Sequence, residues 1–366
     1  MSDGDGRRTA YSTVSAAMAN LDDAELLRAL PVRASSARKG WGTSEGAEVA
    51  GVEVFVKRIP LTDVEHRHMA STKNHFRLPD HYHYGVGSAG FGVFRELATH
   101  RRTTDWVING EIQSFPLLYH ARVMPRADRS DDPRFKLDDY VRRWNGSQAV
   151  ANYITARARA SHEVWLVLEH FPHTLATWLP SHQGAVASVV DQLCRAVAFL
   201  RSHGVVHFDA HLWNVVGDGK DVFLTDFGLA LDAAFELTGR ERTFLGRHWC
   251  YDYGEVIASI GLLLVGMLRA LAPEERARVE SKCGLAPRAT PDQALAALLA
   301  RVDVLHVDGD LPLEEGFVAT VTRYREVILF MSTFLSELQR NRRKDTRYDD
   351  EALRQLLEAA AFPYEL

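Results

Sequence analysis

The chain has 366 residues, 46% of them hydrophobic and 25% charged, enough apolar material to bury a sizeable core as one two-lobed unit or as two domains. Its formal net charge of −5 gives no global reason to expect a nucleic-acid or anionic-membrane partner. Three cysteines, Cys194, Cys250 and Cys283, are few, odd in number and far apart; they suggest neither a disulfide framework nor a zinc site, and fit a reducing cytoplasm.

Residues 1–20 are small and polar and read as a loose tail, without the apolar run of a signal peptide. Residues 21–30 have the spacing of a short amphipathic helix. From 31 to 60 glycines and β-branched residues take over. Alternation across 52–59 predicts a half-buried strand entered through a tight turn at Gly51. Residues 61–90, rich in His, Asn, Pro and Gly, read as an insertion or long loop. Its histidines (His66, His68, His75, His81, His83) lack a supporting cysteine or carboxylate spacing and read as solvated. A helix is predicted over 91–106, a strand over 115–123, a charged loop and Arg-bearing helix within 126–162, and a short buried strand at 164–168. Helical spacing then dominates, over 185–202, 252–271, 273–282, 290–302, 313–340 and 349–361. The longest apolar run, 256–268, is too short to span a bilayer comfortably and predicts a buried helix. β-rich material first and helices later predicts an α+β fold with segregated layers.

The most informative stretch, 207–228, reads His-Phe-Asp-Ala-His-Leu-Trp-Asn and ends in Leu-Thr-Asp-Phe-Gly. Asp209 is followed five residues on by Asn214 and 17 on by Asp226. Phosphoryl transfer needs such a set: one carboxylate accepts the proton of an attacking hydroxyl, while an amide oxygen and a second carboxylate hold metal ions on the nucleotide phosphates. The stretch resembles the catalytic loop and Asp-Phe-Gly segment of the protein-kinase-like superfamily. That resemblance implies a bilobal fold: a β-rich N-lobe over 31–169 with insertions at 61–90 and 126–162, then a helical C-lobe over 170–366, with 1–30 as flexible tail and short helix. It implies ATP and Mg²⁺ as cofactors, Asp209 as the base, His207 as a brace for the loop, and Asn214 and Asp226 as metal holders.

Lys57 ends Val54-Phe-Val-Lys, which is similar to the third strand of the family's small lobe. There the ammonium contacts nucleotide phosphates and pairs with a helix glutamate. Glu96, 39 residues on, is the implied partner, so 61–90 must loop out; Glu65 lies too close to Lys57 in sequence. Gly40 and Gly42, in a stretch that ends at Gly46, stand where a phosphate-covering loop belongs. The third glycine is one position late, and a plain hairpin loop reads nearly as well. Residues 168–172 resemble the hinge, which assigns adenine contacts to the Glu169 carbonyl and the Phe171 amide.

Departures from the family bear on the acceptor. His211 sits two after the base, where Ser/Thr protein kinases carry lysine and aminoglycoside and choline kinases carry histidine; either can steady the transferring phosphoryl. Phe208 replaces the arginine that reads a phosphate on the activation segment, so switching by phosphorylation of that segment is not expected. Nothing in 229–250 reads Ala-Pro-Glu. Asp252 reads either as the family's bracing aspartate or as a simple helix N-cap. The 40 residues between Glu169 and Asp209 are compact for an aminoglycoside-type enzyme and favour a protein acceptor. The expected activity is therefore transfer of the ATP γ-phosphate to a hydroxyl, in first place Ser or Thr of a protein. Two alternatives stay open: a small-molecule phosphotransferase acting on an antibiotic or metabolite, and an inactive nucleotide-binding scaffold. The expected setting is cytoplasmic, with neither nucleic-acid nor membrane partner.

Overall fold

The computed structural model describes residues 4–30, 43–126, 137–286 and 288–366. The chain forms two compact units. The first comprises Met1–Pro172, Thr225–Phe244 and Arg342–Lys344, and the second His173–Leu224, Leu245–Asn341 and Asp345–Leu366. Residues 225–244, which the sequence reading assigns to the helical half, pack with the first unit. The fold is α+β.

In the first unit, α1 (Gly4–Ala19) and α2 (Asp23–Ala29) precede a four-stranded antiparallel sheet. Its strands β1 (Thr43–Val49), β2 (Val52–Leu61), β3 (Leu118–Pro125) and β4 (His162–Glu169) lie in the order β1-β2-β4-β3. β1 and β2 join through Ala50 and Gly51, both at positive φ (50° and 79°), which is the twist a two-residue hairpin requires. Helices α3 (Asp63–Arg67) and α4 (Val93–Ile108) come between β2 and β3; α5 (Leu137–Arg143) and α6 (Gln148–Arg159) come between β3 and β4. The core is where α4 lies on the sheet: Val93, Phe94 and Leu97 pack with Ile59, Leu61, Leu118, Val164, Leu166 and Leu168. Burying each such side chain is worth roughly 1.5–3 kcal/mol, so this contact fixes the position of α4 relative to β2.

Two expectations are corrected in this unit. Residues 4–19 form a helix rather than a loose tail. Arg7, Ala10, Val14 and Met18 recur at helical spacing and are buried as one stripe, and α1 packs on β3. The stripe opens with an arginine and carries few large apolar residues, so composition alone does not reveal it. Residues 61–90 hold α3 and are otherwise mostly irregular, but they are not a solvated loop: Leu78 and Tyr84 are buried, and Tyr82 and His83 completely so. Gly40 and Gly42 lie outside the described residues, while Gly46 sits in β1 opposite Phe55.

The second unit begins with β5 (His173–Thr174), α7 (Leu175–Trp178) and α8 (Val186–Ser202), followed by β6 (Val205–Val206), β7 (Val215–Gly217) and β8 (Val222–Leu224). Strands β5, β7 and β8 form a small antiparallel sheet. The chain then revisits the first unit for β9 (Leu231–Asp232) and most of α9 (Gly239–Leu245). It returns with α10 (Tyr251–Ala270), α11 (Pro273–Lys282), α12 (Pro291–Val307), α13 (Glu315–Arg323), α14 (Arg325–Arg340) and α15 (Asp350–Ala359). Among the described residues α10 alone is long and apolar enough to cross a membrane, and most of it is buried inside the unit, against α8, α12 and α14. The stripe read as one helix over 313–340 is two. Tyr324 leaves helical geometry (φ −99°, ψ 16°) and breaks the run, while apolar spacing continues across the break.

Candidate active site

Lys57 lies on β2, and its side chain reaches two acids of the first unit. Nζ is 2.6 Å from Glu96 Oε1, an ion-pair contact, and donates to Asp226 Oδ1 at 2.8 Å. Glu96 is one turn into α4, whose docking on the sheet through Val93, Phe94 and Leu97 points it at β2. The intervening 61–90 segment folds back to allow this. Burial works against the Lys57 charge, but the attraction of Asp226 and then of Glu96 outweighs it and holds the ammonium well above its ordinary range. Burial also pushes Glu96 upward, with Lys57 opposing.

Asp226 adopts φ 65°, ψ 71°, a left-handed conformation that non-glycine residues rarely hold. Several contacts over-determine it. Phe227 is fully buried, edge-on to His100 (centroids 4.9 Å apart) and to Phe115 (6.1 Å). The Gly228 carbonyl accepts from the Phe91 N–H at 3.0 Å. A Cβ at Gly90 would come within 3.0 Å of that same carbonyl oxygen, so only a glycine fits there without a shift. The Asp226 side chain is nonetheless 43% exposed, whereas Glu96 is 6% exposed.

Glu169 ends β4, and its backbone N–H donates to the Leu117 carbonyl (2.8 Å). Its carboxylate is held by Arg7 of α1: Nε donates to Oε1 (2.9 Å) and Nη2 to Oε2 (2.7 Å). Arg7 also donates to the carbonyls of Gln113 and Phe115. Phe171, two residues on, is half-buried.

The second unit carries the other candidates. Asp209 follows Phe208, itself at φ 63°. Asn214 donates through Nδ2 to Asp209 Oδ2 (2.7 Å) and to the Asp209 carbonyl (3.0 Å), which turns its amide oxygen the other way. His211 Nε2 lies 3.3 Å from Asp209 Oδ1. Burial lowers the His211 pKa, but its contact with Asp209 and the nearby Glu255 prevail and push it up to about 9. His207 is buried and accepts the Asp209 N–H on Nδ1 (3.2 Å), which braces the turn from within.

The loop is held from outside by the first turn of α10. Asp252 accepts the N–H groups of His207 (2.6 Å) and Phe208 (2.8 Å), so it braces the loop rather than capping its own helix. Glu255, three residues later and on the same face, accepts the Ala210 N–H (2.8 Å). Burial raises the Asp252 carboxyl to about 7, against those two hydrogen bonds. It also pushes Glu255 far up, with Asp209 adding to the effect.

The structure thus joins Lys57, Glu96 and Asp226 in one unit, and Asp209, His211 and Asn214 in the other. Sequence reasoning missed Arg7 and Glu255. Spacing alone could have flagged Glu255, as the i+3 neighbour of Asp252. Glu65, set aside as a partner for Lys57, instead caps α4 by accepting the Val93 N–H (2.9 Å). Among the described residues no three His, Cys, Asp or Glu side chains gather as a preformed metal site. No protein-family model matches this chain, and no curated protein matches it.

Proposed function

We propose that the protein is a protein-kinase-like phosphotransferase of bilobal build that moves the γ-phosphate of ATP to a hydroxyl. The observation that carries this reading is the Lys57 ammonium shared between Glu96 and Asp226, with Asp226 strained ahead of Phe227-Gly228. Lys282 also meets two carboxylates, Asp308 and Asp310; what sets Lys57 apart is its burial and the strained, half-exposed Asp226 beside it. Here one ammonium faces two acids, leaving a net charge of about −1 beside a half-exposed carboxylate, which invites a cation. Asp226 and the amide oxygen of Asn214 are hard oxygen donors of the kind Mg²⁺ takes. Mg²⁺ usually keeps waters and phosphates as its other ligands, so few protein ligands suffice. When bound, Mg²⁺ neutralises charge on the β- and γ-phosphate oxygens.

In this reading Lys57 orients the nucleotide phosphates, and the Glu169 carbonyl and Phe171 amide take the adenine edge. Asp209, its Oδ2 fixed by Asn214, accepts the proton of the attacking hydroxyl. His211, kept positive at neutral pH by its acidic neighbours, steadies the transferring group. Asp209→Ala is expected to lower ADP formation by about 10³-fold while Mg·ATP binding, read by calorimetry, stays within a few-fold; full turnover in that variant refutes the assigned base. The favoured acceptor is Ser or Thr of a protein. A small-molecule hydroxyl is the second reading, favoured by the His211–Asp209 contact and by the missing Ala-Pro-Glu. Radiolabelled ATP offered against mixed peptides and aminoglycoside-like compounds separates the two.

A further inference from the structure

Residues 71–102 and 228–241, all in the first unit, meet through a dense set of matched contacts. Arg95 of α4 is 1% exposed, and its guanidinium lies 5.4 Å from the ring centres of both Phe91 and Phe235. Its Nε donates to the Thr72 carbonyl (2.7 Å) and its Nη2 to Glu241 Oε1 (2.6 Å). The other Glu241 oxygen accepts the N–H and hydroxyl of Thr238, which builds the first turn of α9. Arg102, two turns beyond Arg95 on α4, reaches Asp232 Oδ2 at 2.5 Å. Glu236 accepts the Ser71 hydroxyl (2.6 Å) and the Thr72 N–H (3.2 Å) and faces Lys73 Nζ (3.5 Å), while its own N–H donates to Thr72 Oγ1 (2.8 Å). Arg240 pairs in the reverse sense with Asp80. Nearest Asp226, the Phe91 N–H donates to the Gly228 carbonyl, and buried His83 bonds the Leu229 carbonyl through Nδ1 (2.8 Å).

Three acids of the 228–241 segment therefore each meet a cation carried by residues 71–102. The group around Glu236 (a hydroxyl, a backbone N–H and an ammonium) is also the donor set that would receive a phosphate. Glu236 fills it with a charge that needs no modifying enzyme. We propose that residues 71–102 are a built-in clamp that holds the segment after Asp226 in its working arrangement without phosphorylation, Glu236 supplying the fixed charge. That this arrangement is the active one rests on the phosphotransferase reading; the clamp itself can be measured without it.

The test is hydrogen exchange over 228–241 in the phosphatase-treated full-length protein, with turnover of ATP as a second readout. Slow exchange is expected in the wild type, with turnover unchanged by the phosphatase. Arg95→Met should speed exchange there by about a hundred-fold. Glu236→Lys, at an exposed site that leaves the fold intact, should speed it several-fold, and pairing it with Lys73→Glu should restore protection. Exchange at free-peptide rates in the treated wild type overturns the clamp. So does protection that Glu236→Lys leaves unchanged, or turnover lost with the phosphatase. A protected, charge-swappable segment in a protein that never turns over ATP supports the clamp and counts against the phosphotransferase reading instead.

Discussion

At the scale of single residues, the charges with the most to lose are those that burial has stripped of water. The Arg7 guanidinium is 2% exposed and spends its donors on the Glu169 carboxylate, the Gln113 side chain and two carbonyls. Removing one partner of a buried pair leaves the other uncompensated, so Arg7→Met should cost about 3–5 kcal/mol of stability. Because the penalty comes from the stranded carboxylate, Arg7→Met combined with Glu169→Gln should cost less than the sum of the two single changes in urea denaturation. Strict additivity would mean the two side chains do not depend on each other. Asp252 presents the opposite case, a carboxylate whose burial disfavours its charge. Its pKa is about 7 in the folded chain against an ordinary 3.8. Between those values the native state holds the extra proton, so stability falls as pH rises through that window. Relative to Asp252→Asn, the wild type should therefore gain stability as pH is lowered from 8 through 7 to 6, at a limiting slope of about 1.4 kcal/mol per pH unit. No difference in slope between the wild type and Asp252→Asn over pH 6–8 in urea titrations would show Asp252 ionised in the fold throughout that range.

At the scale of elements, α4 is the piece on which the first-unit cluster depends, since it carries Glu96, Arg95 and Arg102. Its N-terminus is capped from a distance. Glu65 accepts the Thr62 N–H (3.0 Å) and hydroxyl (2.6 Å) on Oε2 and the Val93 N–H on Oε1, tying the start of α3 to the start of α4. Gly92 makes this possible: its φ is 115°, and a Cβ there would lie 2.7 Å from Glu65 Oε1. Gly92→Ala should cost about 2 kcal/mol or more, through backbone strain and the weakened cap. Thermal melts would read the loss, and an unchanged melting point would mean that the cap tolerates a methyl group. The helix itself was legible, because periodicity over 91–106 reports its buried face. Its cap was not, because a carboxylate 28 residues upstream leaves no local pattern. The same reason explains the other misses. Helix α1 shows itself only through a stripe that begins with an arginine, and the break at Tyr324 interrupts backbone geometry without interrupting the apolar spacing. The 207–228 stretch stood out in the sequence for the converse reason: its residue types and spacing are set locally.

At the scale of the whole molecule, the path of the chain matters more than any linear boundary. Reading along the sequence places a division near residue 169, and the first unit does leave off after Pro172, but Thr225–Phe244 and then Arg342–Lys344 return to it. The first return brings Asp226 to Lys57, Asp232 to Arg102 and Glu241 to Arg95, and fills the space between His100 and Phe115 with Phe227. Composition cannot reveal such a return, because the pairing partners are more than a hundred residues apart in sequence. A fragment spanning 1–172 would lose three acids and an aromatic plug from its interior at once. It is expected to show no cooperative thermal transition and no slow amide exchange in β2 and β4. Appending 225–244 through a flexible Gly/Ser linker long enough to span the gap should recover a cooperative transition, because the linker restores those partners at high effective concentration. If the 1–172 fragment melts cooperatively unaided, the returning segment is an accessory to the first unit rather than part of its core, and the Lys57–Asp226 contact is correspondingly dispensable for folding.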